Sequence, residues 1–363
     1  MTIINEGSAS IYVPRQPMTK RAEAFYNPEM EYQRDITMSA LRVFQKRAGP
    51  LAVCDPLAGT GVRSIRIAKE VPGIGSIVAN DLNPLAVRVL KKNVHAQRLG
   101  RLIDIRNRNA NDLFLEHPRG FDFIDIDPFG SPINYVFNSG YALKSRSMLA
   151  CTATDTGALC GAFPSTCFSR YGIRAYKTDF YKELGVRVLT TSVMLELSKH
   201  GMAFTPAYAH ANHYFRTIGQ VRKSKSAVTE QFREIRFVFY CPSCLYRSSE
   251  TNRECPGCGR RMHIMGPLWS GKIKDSKFCM EMLKELEMAG YRKTKELRTA
   301  IDEIDEPFYY DLHRLFRARR RSPKRMEDIM NTLEDSGFVV SRTRFSGTGL
   351  KTNAPYKKII SLL

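Results

Sequence analysis

The stretch DIDPFGSP, Asp125 to Pro132, gathers a carboxylate, a proline and an aromatic ring at what reads as the end of a strand. These side chains suit one kind of chemistry. An exocyclic amine on an aromatic ring is a poor nucleophile because its lone pair is delocalised, so a site that methylates it must draw density back onto nitrogen. Asp127 could accept an N–H hydrogen bond and then the proton, as a general base in reach. Pro128 fixes φ and aims the neighbouring carbonyl as a second acceptor. Phe129 offers a flat face to a base, and Gly130 permits the tight turn that brings these groups together. The same residues could form an ordinary turn, with Asp127 capping it and Pro-Phe-Gly reversing the chain.

Upstream, DPLAGTGVRS sets the small residues Ala58, Gly59, Thr60 and Gly61 between a strand and a helix start, where the backbone can approach a ligand closely. A lone Gly-rich turn is weak evidence, and this one is not a full GxGxxG. Its spacing strengthens it. Asp81 ends the strand SIVAND, 22 residues beyond Gly59, where a carboxylate can accept both hydroxyls of a ribose. The acidic Asp55 at the head of the loop disfavours a diphosphate and tolerates a cationic sulfonium. Further on, RNRNANDL offers Asn109, Ala110 and Asp112 where a nucleoside-binding fold usually reads adenine. Plainer readings exist: Asp81 as a helix cap ahead of Pro84, and the Asn109 group as turn residues.

Two CxxC pairs, Cys241 with Cys244 and Cys255 with Cys258, stand ten residues apart. Pro242, Gly257 and Gly259 bend the chain as a tetrahedral zinc site requires. Four thiolates leave no open position for water, so such a Zn2+ would be structural; the alternative is two reduced pairs without metal. The other five cysteines, Cys54, Cys151, Cys160, Cys167 and Cys279, read as small buried hydrophobes of a reducing compartment.

Near the C-terminus, LHRLFRARRRSPKRMEDI carries Arg314, Arg317, Arg319, Arg320, Arg321, Lys324 and Arg325, dense enough to contact phosphates over several nucleotides. A charge run is also what a solvated helix face looks like. The whole chain of 363 residues has 56 Lys and Arg against 36 Asp and Glu, a formal +20, which suits a polyanion such as nucleic acid. Charge alone does not choose between DNA, RNA and an acidic membrane. There is no run of about 18 apolar residues, and MTIINEGSAS lacks the features of a signal peptide. A cytoplasmic protein without membrane association is expected.

The elements that must position these groups follow from hydrophobic patterning. From Leu51 to about Phe204 short apolar runs (LAVCD, SIVAND, LIDIRN, FDFIDID, SMLACTATD) alternate with helical patterns. That implies an α/β domain with a mostly parallel sheet, helices on both faces and ligands at the strand carboxyl ends. VRVLTTSVMLELSKHG reads as a late helix ending on Gly201. The basic stretch TIGQVRKSKSAV lacks strong periodicity and reads as the boundary between residues 1–225 and a smaller α+β domain, 226–363. In the latter, EIRFVFY alternates like a strand, a helix covers about Lys277 to Ala289, and the terminal block reads as helix, Gly turn, strand, loop and strand, a winged-helix pattern.

From NEGSASIYVP and FYNPEMEYQRD through DPLAGTGVRS, NDLNP, DIDPFGSP and TDTGALCG to SGTGLKTNAP, the chain resembles the archaeal form of the tRNA guanine-26 N2-dimethyltransferase family over nearly its full length. The resemblance implies a Class I (Rossmann-like) methyltransferase domain followed by a tRNA-binding domain with a zinc-ribbon-like element. It implies transfer of two methyl groups from S-adenosylmethionine to N2 of a guanosine between the D and anticodon stems of tRNA. Asp127 would be the catalytic acceptor in its Pro128 loop, with Phe129 and Phe25 sandwiching the flipped base. Arg34, Arg63, Asp81, Asn109 and Ala110 would bind the cofactor together with the Asp55, Gly59 and Gly61 loop, while the basic run from Arg317 to Arg325 would bind tRNA. Asn109 stands where the family more usually has aspartate; its oxygen can still accept an adenine amino proton. No obligatory protein partner is implied. A DNA amino-methyltransferase would share Asp127 and Phe129, and a binding-only protein with a retained fold is the third reading.

Overall fold

Apolar runs of strand length alternate with amphipathic segments, and the chain folds accordingly into strand–helix units. The computed structural model describes residues 1–15 and 24–363. A hairpin of β1 (Thr2–Glu6) and β2 (Ala9–Val13) precedes α1 (Glu31–Ala48). The units that follow are β3 (Leu51–Asp55), α2 (Val62–Glu70), β4 (Ile74–Asn80), α3 (Pro84–Ala96), β5 (Ile103–Arg106), α4 (Ala110–Glu116), β6 (Phe121–Ile126), α5 (Ile133–Ala142) and β7 (Leu143–Ala153). After the helices α6 (Thr156–Leu159), α7 (Pro164–Tyr171) and α8 (Tyr181–Ser198), the antiparallel pair β8 (Met202–Ala211) and β9 (Phe215–Lys223) completes a seven-stranded sheet.

The strand order is β5-β4-β3-β6-β7-β9-β8, with β5 to β7 parallel and β9 reversed. Side chains of successive strand residues enter opposite layers, as the pleat requires. Val53, Phe123, Met148 and Ala150 join one core with α1 and α2, while Cys54, Ile124, Leu149 and Cys151 join the other with α8. The order reverses between β3 and β6, so the loops after Asp55 and Ile126 diverge there and leave a crevice at the strand carboxyl ends.

The stretch TIGQVRKSKSAV, read from sequence as a boundary, is not a linker over its first half. Thr217 to Lys223 belong to β9, inside the sheet between β7 and β8. The period was hidden because the strand is covered on both faces: Arg216 is buried against Asp125, and Gly219 lies so close to the Phe204 ring that a Cβ would fall 2.6 Å from it. Ser224 then caps α9 (Lys225–Arg233), accepting a hydrogen bond from the Ala227 N–H.

The remaining elements are β10 (Ile235–Tyr240), β11 (Arg247–Ser248), β12 (His263–Trp269), α10 (Ser276–Met288), α11 (Lys295–Asp302), β13 (Tyr310–Asp311), α12 (Leu312–Ala318), α13 (Met326–Asp335), β14 (Val340–Thr343), β15 (Ser346–Thr352) and α14 (Tyr356–Ser361). From α11 to β15 the element order and the sheet order β13-β15-β14 are those of a winged helix. Its β14–β15 turn points inward: Arg344 is ion-paired with Glu303 and donates to the Ala209 carbonyl of β8. The C-terminal part shares both cores of the sheet. Phe278, Met282 and Leu286 of α10 join the layer of α1, and Val238, Tyr240, Tyr309 and Leu350 join that of α8. No helix among the described residues is long and apolar enough to cross a membrane.

Glu183 of α8 ties the two parts together. It accepts backbone N–H bonds from Phe308 (2.8 Å) and Tyr309 (3.2 Å), and it faces Arg187 and Lys351. Burial favours its neutral form, but Lys351 and Arg187 outweigh burial and hold the carboxyl at about 2, below its ordinary 4.5. Because the folded value lies below the unfolded one, this contribution to stability is complete above about pH 4.5 and is lost as pH falls toward 2. Urea midpoints at pH 3, 5 and 7 are therefore expected to drop more steeply on the acid side for wild type than for Glu183→Gln, which should be weaker at pH 7.

Candidate active site

Three carboxylates meet at adjacent strand ends. Asp55 closes β3, Asp125 lies in β6, and Asp127 follows it. Arg63, in the first turn of α2, reaches all three: 3.8 Å from Asp55, 3.2 Å from Asp125, and in direct contact with Asp127. Asp125 is gripped from the other side by Arg216 of β9, whose two terminal nitrogens donate at 2.9 and 2.6 Å. Burial would raise Asp125, but Arg216 and Arg63 outweigh it and hold the carboxyl below the usual range. Asp55 has no comparable pairing, and burial lifts it to about 6 against the pull of Arg63 and the Ser64 hydroxyl.

The Gly loop and Asp81 come together as the spacing suggested. Asp81 accepts from the Gly59 N–H and the Asn83 N–H, both at 2.9 Å, one on each oxygen. Each oxygen keeps a second lone pair for a hydroxyl donor. Gly59 and Gly61 both adopt positive φ. Gly59 has a further task, since a Cβ there would stand 2.9 Å from the Phe25 carbonyl; its bareness lets the Phe25 segment lie across the loop. Asn80 was not singled out from sequence. Its amide donates to the Pro56 and Arg108 carbonyls and accepts from the Arg108 N–H, clamping three strand-end loops, and Asn107 adds bonds to the Asp81 and Leu82 carbonyls.

Asn109 caps α4 through a 2.9 Å bond from the Asn111 N–H, a position that Asn and Asp fill equally well, and Ala110 is buried in the first helical turn. Arg34 forms a bidentate pair with Glu6 and a 3.0 Å bond to the Asn27 carbonyl, and so anchors the N-terminal segment. Its neighbour Gln33, missed in the sequence, points into the cluster, donating to Thr152 at 2.6 Å and reaching Asp127 at 3.4 Å.

Phe25 and Phe129 meet edge to face, with centroids 4.7 Å apart and an interplanar angle of 78°. A base stacked between two rings needs them parallel and roughly 7 Å apart, so these rings must part to admit one. Pro128 is buried, and the loop is pinned to the end of β7 by the Gly130 N–H to Thr154 hydroxyl (2.7 Å) and the Thr154 N–H to Gly130 carbonyl (2.9 Å).

The four cysteines converge, with their sulfurs all within 4.8 Å of one another. That is the size of a tetrahedron of thiolates at zinc–sulfur bond length, so the set fits the metal. The Arg260 backbone N–H holds the Cys258 thiol at about 7, toward the thiolate a metal needs. Of the basic run, Arg317, Arg320, Arg321 and Arg325 extend into solvent, whereas Arg319 donates to the Tyr356 hydroxyl and Lys324 to the Leu362 carbonyl.

A family model described as N2,N2-dimethylguanosine tRNA methyltransferase matches residues 5–363. The chain belongs to this family. Among N2,N2-dimethylguanosine tRNA methyltransferases, the tRNA (guanine(26)-N(2))-dimethyltransferase of Methanothermobacter thermautotrophicus is 38% identical over 383 residues, spanning 100% of this chain and 98% of that protein. Its counterpart in Pyrococcus furiosus is 34% identical over 384 residues, spanning 99% and 97%. A solved structure of Trm1 from Pyrococcus horikoshii with S-adenosyl-L-methionine is 30% identical and superposes with a TM-score of 0.90 over 99% of both chains.

In this family member the Arg216–Asp125 pair is fully buried, and removing Arg216 would leave Asp125 only the Arg63 guanidinium, which it shares with Asp55 and Asp127. Arg216→Ala is expected to lower unfolding free energy by about 3–5 kcal/mol, measured by urea denaturation.

Proposed function

We infer that this S-adenosylmethionine-dependent tRNA (guanine-26-N2)-dimethyltransferase uses Asp127 as the acceptor at N2, in a crevice whose other wall is the cofactor loop from Asp55 to Gly61 with Asp81. The observation that carries the reading is Arg63, which bridges Asp55 at the head of that loop to Asp127 at the end of the next strand. When bound, S-adenosylmethionine supplies an electrophilic methyl on a sulfonium centre. Asp55 and Asp81 suit that ligand: one places negative charge near a cation, and the other keeps lone pairs for ribose hydroxyls. The Asp55 oxygen Oδ1, with no hydrogen-bond partner among the described residues, marks an unmet acceptor there.

Asp127 accepts the N2–H bond, draws density onto nitrogen, and takes the proton as the N–CH3 bond forms and the S–CH3 bond breaks. Arg63, in direct contact with that carboxylate, aims it. After one transfer N2 still carries an N–H for Asp127 to engage; after two it carries none, so the reaction stops. Phe25 and Phe129 part and stack on the flipped guanine, offsetting the few kcal/mol of unstacking. Arg34 fixes the segment that bears Phe25 and, with Arg63, serves the cofactor, whose adenine end is assigned to Asn109 and Ala110 at the start of α4. The exposed arginines 317, 320, 321 and 325 supply phosphate contacts within the C-terminal part, 226–363, beside the methyltransferase part, 1–225. A tRNA substrate places the work in the cytoplasm.

The test is transfer of labelled methyl to unmodified tRNA and to duplex DNA, with nucleoside analysis. Label in N2,N2-dimethylguanosine at position 26 is expected; label on DNA alone would overturn the reading. Asp127→Ala should lower transfer by roughly 10²-fold or more while calorimetry finds cofactor affinity near wild type, and equal loss of both would remove its assigned role. Because Asp55 rests at about 6, it is ionised at pH 8 and largely protonated at pH 5. Affinity for the cationic cofactor should therefore fall between those values, while affinity for its neutral-sulfur product falls less, and Asp55→Asn should abolish the difference.

A further inference from the structure

A cavity of about 690 Å³ lies where the segment between α7 and α8 meets the cysteine-bearing element, lined by Arg174, Tyr176, Arg253, Arg261 and His263 among others. It is outside both the carboxylate crevice and the Arg317–Arg325 run. Its volume falls in the range of sites that hold a nucleotide-sized ligand.

Its two walls are locked together. Arg174 and Gly266 exchange backbone bonds of 3.1 and 2.8 Å, and the Tyr176 and His263 rings lie 4.5 Å apart. Gly161 lets the Tyr176 segment pass, since a Cβ there would fall 2.3 Å from the Tyr176 backbone. On the other wall, the hairpin around Cys255 and Cys258 aligns Arg253 and Arg261: Met262 N–H donates to the Arg253 carbonyl, and Cys255 N–H to that of Arg260. The thiolate tetrahedron therefore sets where two of the three arginines stand.

The charge is uncompensated. Arg174, Arg253 and Arg261 are exposed, and none forms an ion pair among the described residues; Arg170 nearby does, with Asp155 at 2.9 Å. Three guanidiniums around one cavity repel each other until an anion enters, and the guanidinium fork matches a phosphate's paired oxygens. The Tyr176 and His263 rings add faces for a base or ribose. A path also leads there from the catalytic loop. Phe129, Phe163 and Phe168 are 45%, 62% and 53% exposed, α7 is tied to that loop's neighbour Asp155 by the Tyr171 hydroxyl, and the Arg174 guanidinium lies 5.5 Å from the Phe168 ring centre.

We propose that this cavity is a phosphodiester-binding subsite for the tRNA strand leaving the flipped guanine, and that the zinc element forms one of its walls. The proposal rests on the tRNA reading above and adds a residue-level site to it. Arg174→Ala/Arg261→Ala and Arg253→Ala enzymes are compared with wild type for binding of unmodified tRNA transcript across 50–300 mM salt, roughly the range over which phosphate contacts are read out. The double variant should bind about tenfold more weakly or worse, with the slope of log affinity against log salt reduced by about 1–2, one unit or less per lost phosphate. Cofactor affinity and thermal midpoint should stay at wild-type values, and Arg261→Lys should recover most of the slope. Glu254→Ala, in the same hairpin but outside the cavity, should change nothing.

An unchanged slope and affinity in both arginine variants would overturn the subsite. A loss shared equally by a DNA duplex of similar length would overturn it too, reducing the cavity to unspecific charge. Wild type that neither binds nor methylates tRNA would instead sink the parent reading. Enzyme stripped of zinc that keeps the full salt slope would remove the metal's part in the wall.

Discussion

Three carboxylates at neighbouring strand ends, nearly out of reach of water, repel one another, and Arg63 is the group that lets them coexist. Its own charge is held strongly, because the attraction of Asp125, Asp127 and Asp55 outweighs the burial that disfavours it. With Arg216 on the far side, three negative groups face two positive ones, and the excess charge sits nearest the crevice. A buried network of this kind is weak evidence for stability. What it provides is position: β3, β6 and β9 are held in one arrangement, and the Asp127 carboxylate is fixed relative to the loop that starts at Asp55.

A second buried network performs the same task for the N-terminal segment. Glu6 of the N-terminal hairpin meets Arg34 of α1 and Arg66 of α2, and Arg66 continues to Asp35 and Glu70. Burial opposes ionisation of Glu6, but the two arginines prevail and hold it below its ordinary value. Phe25 hangs from this anchor on one side and rests against Gly59 on the other. The aromatic pair is thereby coupled to the Gly59 loop through backbone contact, since any side chain at Gly59 would push the Phe25 segment away.

The C-terminal part is fused to the sheet through shared cores, and the charge on its winged helix is not where such folds usually carry it. The helix that such folds place in a groove, α13, carries Glu327, Asp328, Glu334 and Asp335, and the wing turn is tied inward through Arg344. Positive charge lies in the loop before α13 and, through Tyr356, abuts the cysteine element: the Tyr356 hydroxyl accepts from Arg319 and donates to the Cys244 carbonyl. The metal site thus stands between two basic surfaces, and a rigid tetrahedral knot is a reasonable way to keep like charges at a fixed separation in so small a sheet.

The sequence by itself determined whatever depends on neighbours in the chain. Alternation of apolar runs and helical patterns set out the α/β sheet, the spacing of Asp81 from the Gly loop matched the contact they make, and CxxC spacing marked the four-sulfur cluster. The tertiary structure decided what depends on distant partners. Arg216 meets Asp125 across 91 residues, and Gln33 meets Thr152 across 119. Neither pairing leaves a local pattern, and the same burial erased the strand period of β9. Arg34 meets Glu6 across 28 residues and Arg319 meets Tyr356 across 37, partners that no local pattern announces. Whether a charge faces ligand or protein is fixed only when folding chooses its neighbours, because desolvation makes an unpaired buried charge too costly to keep.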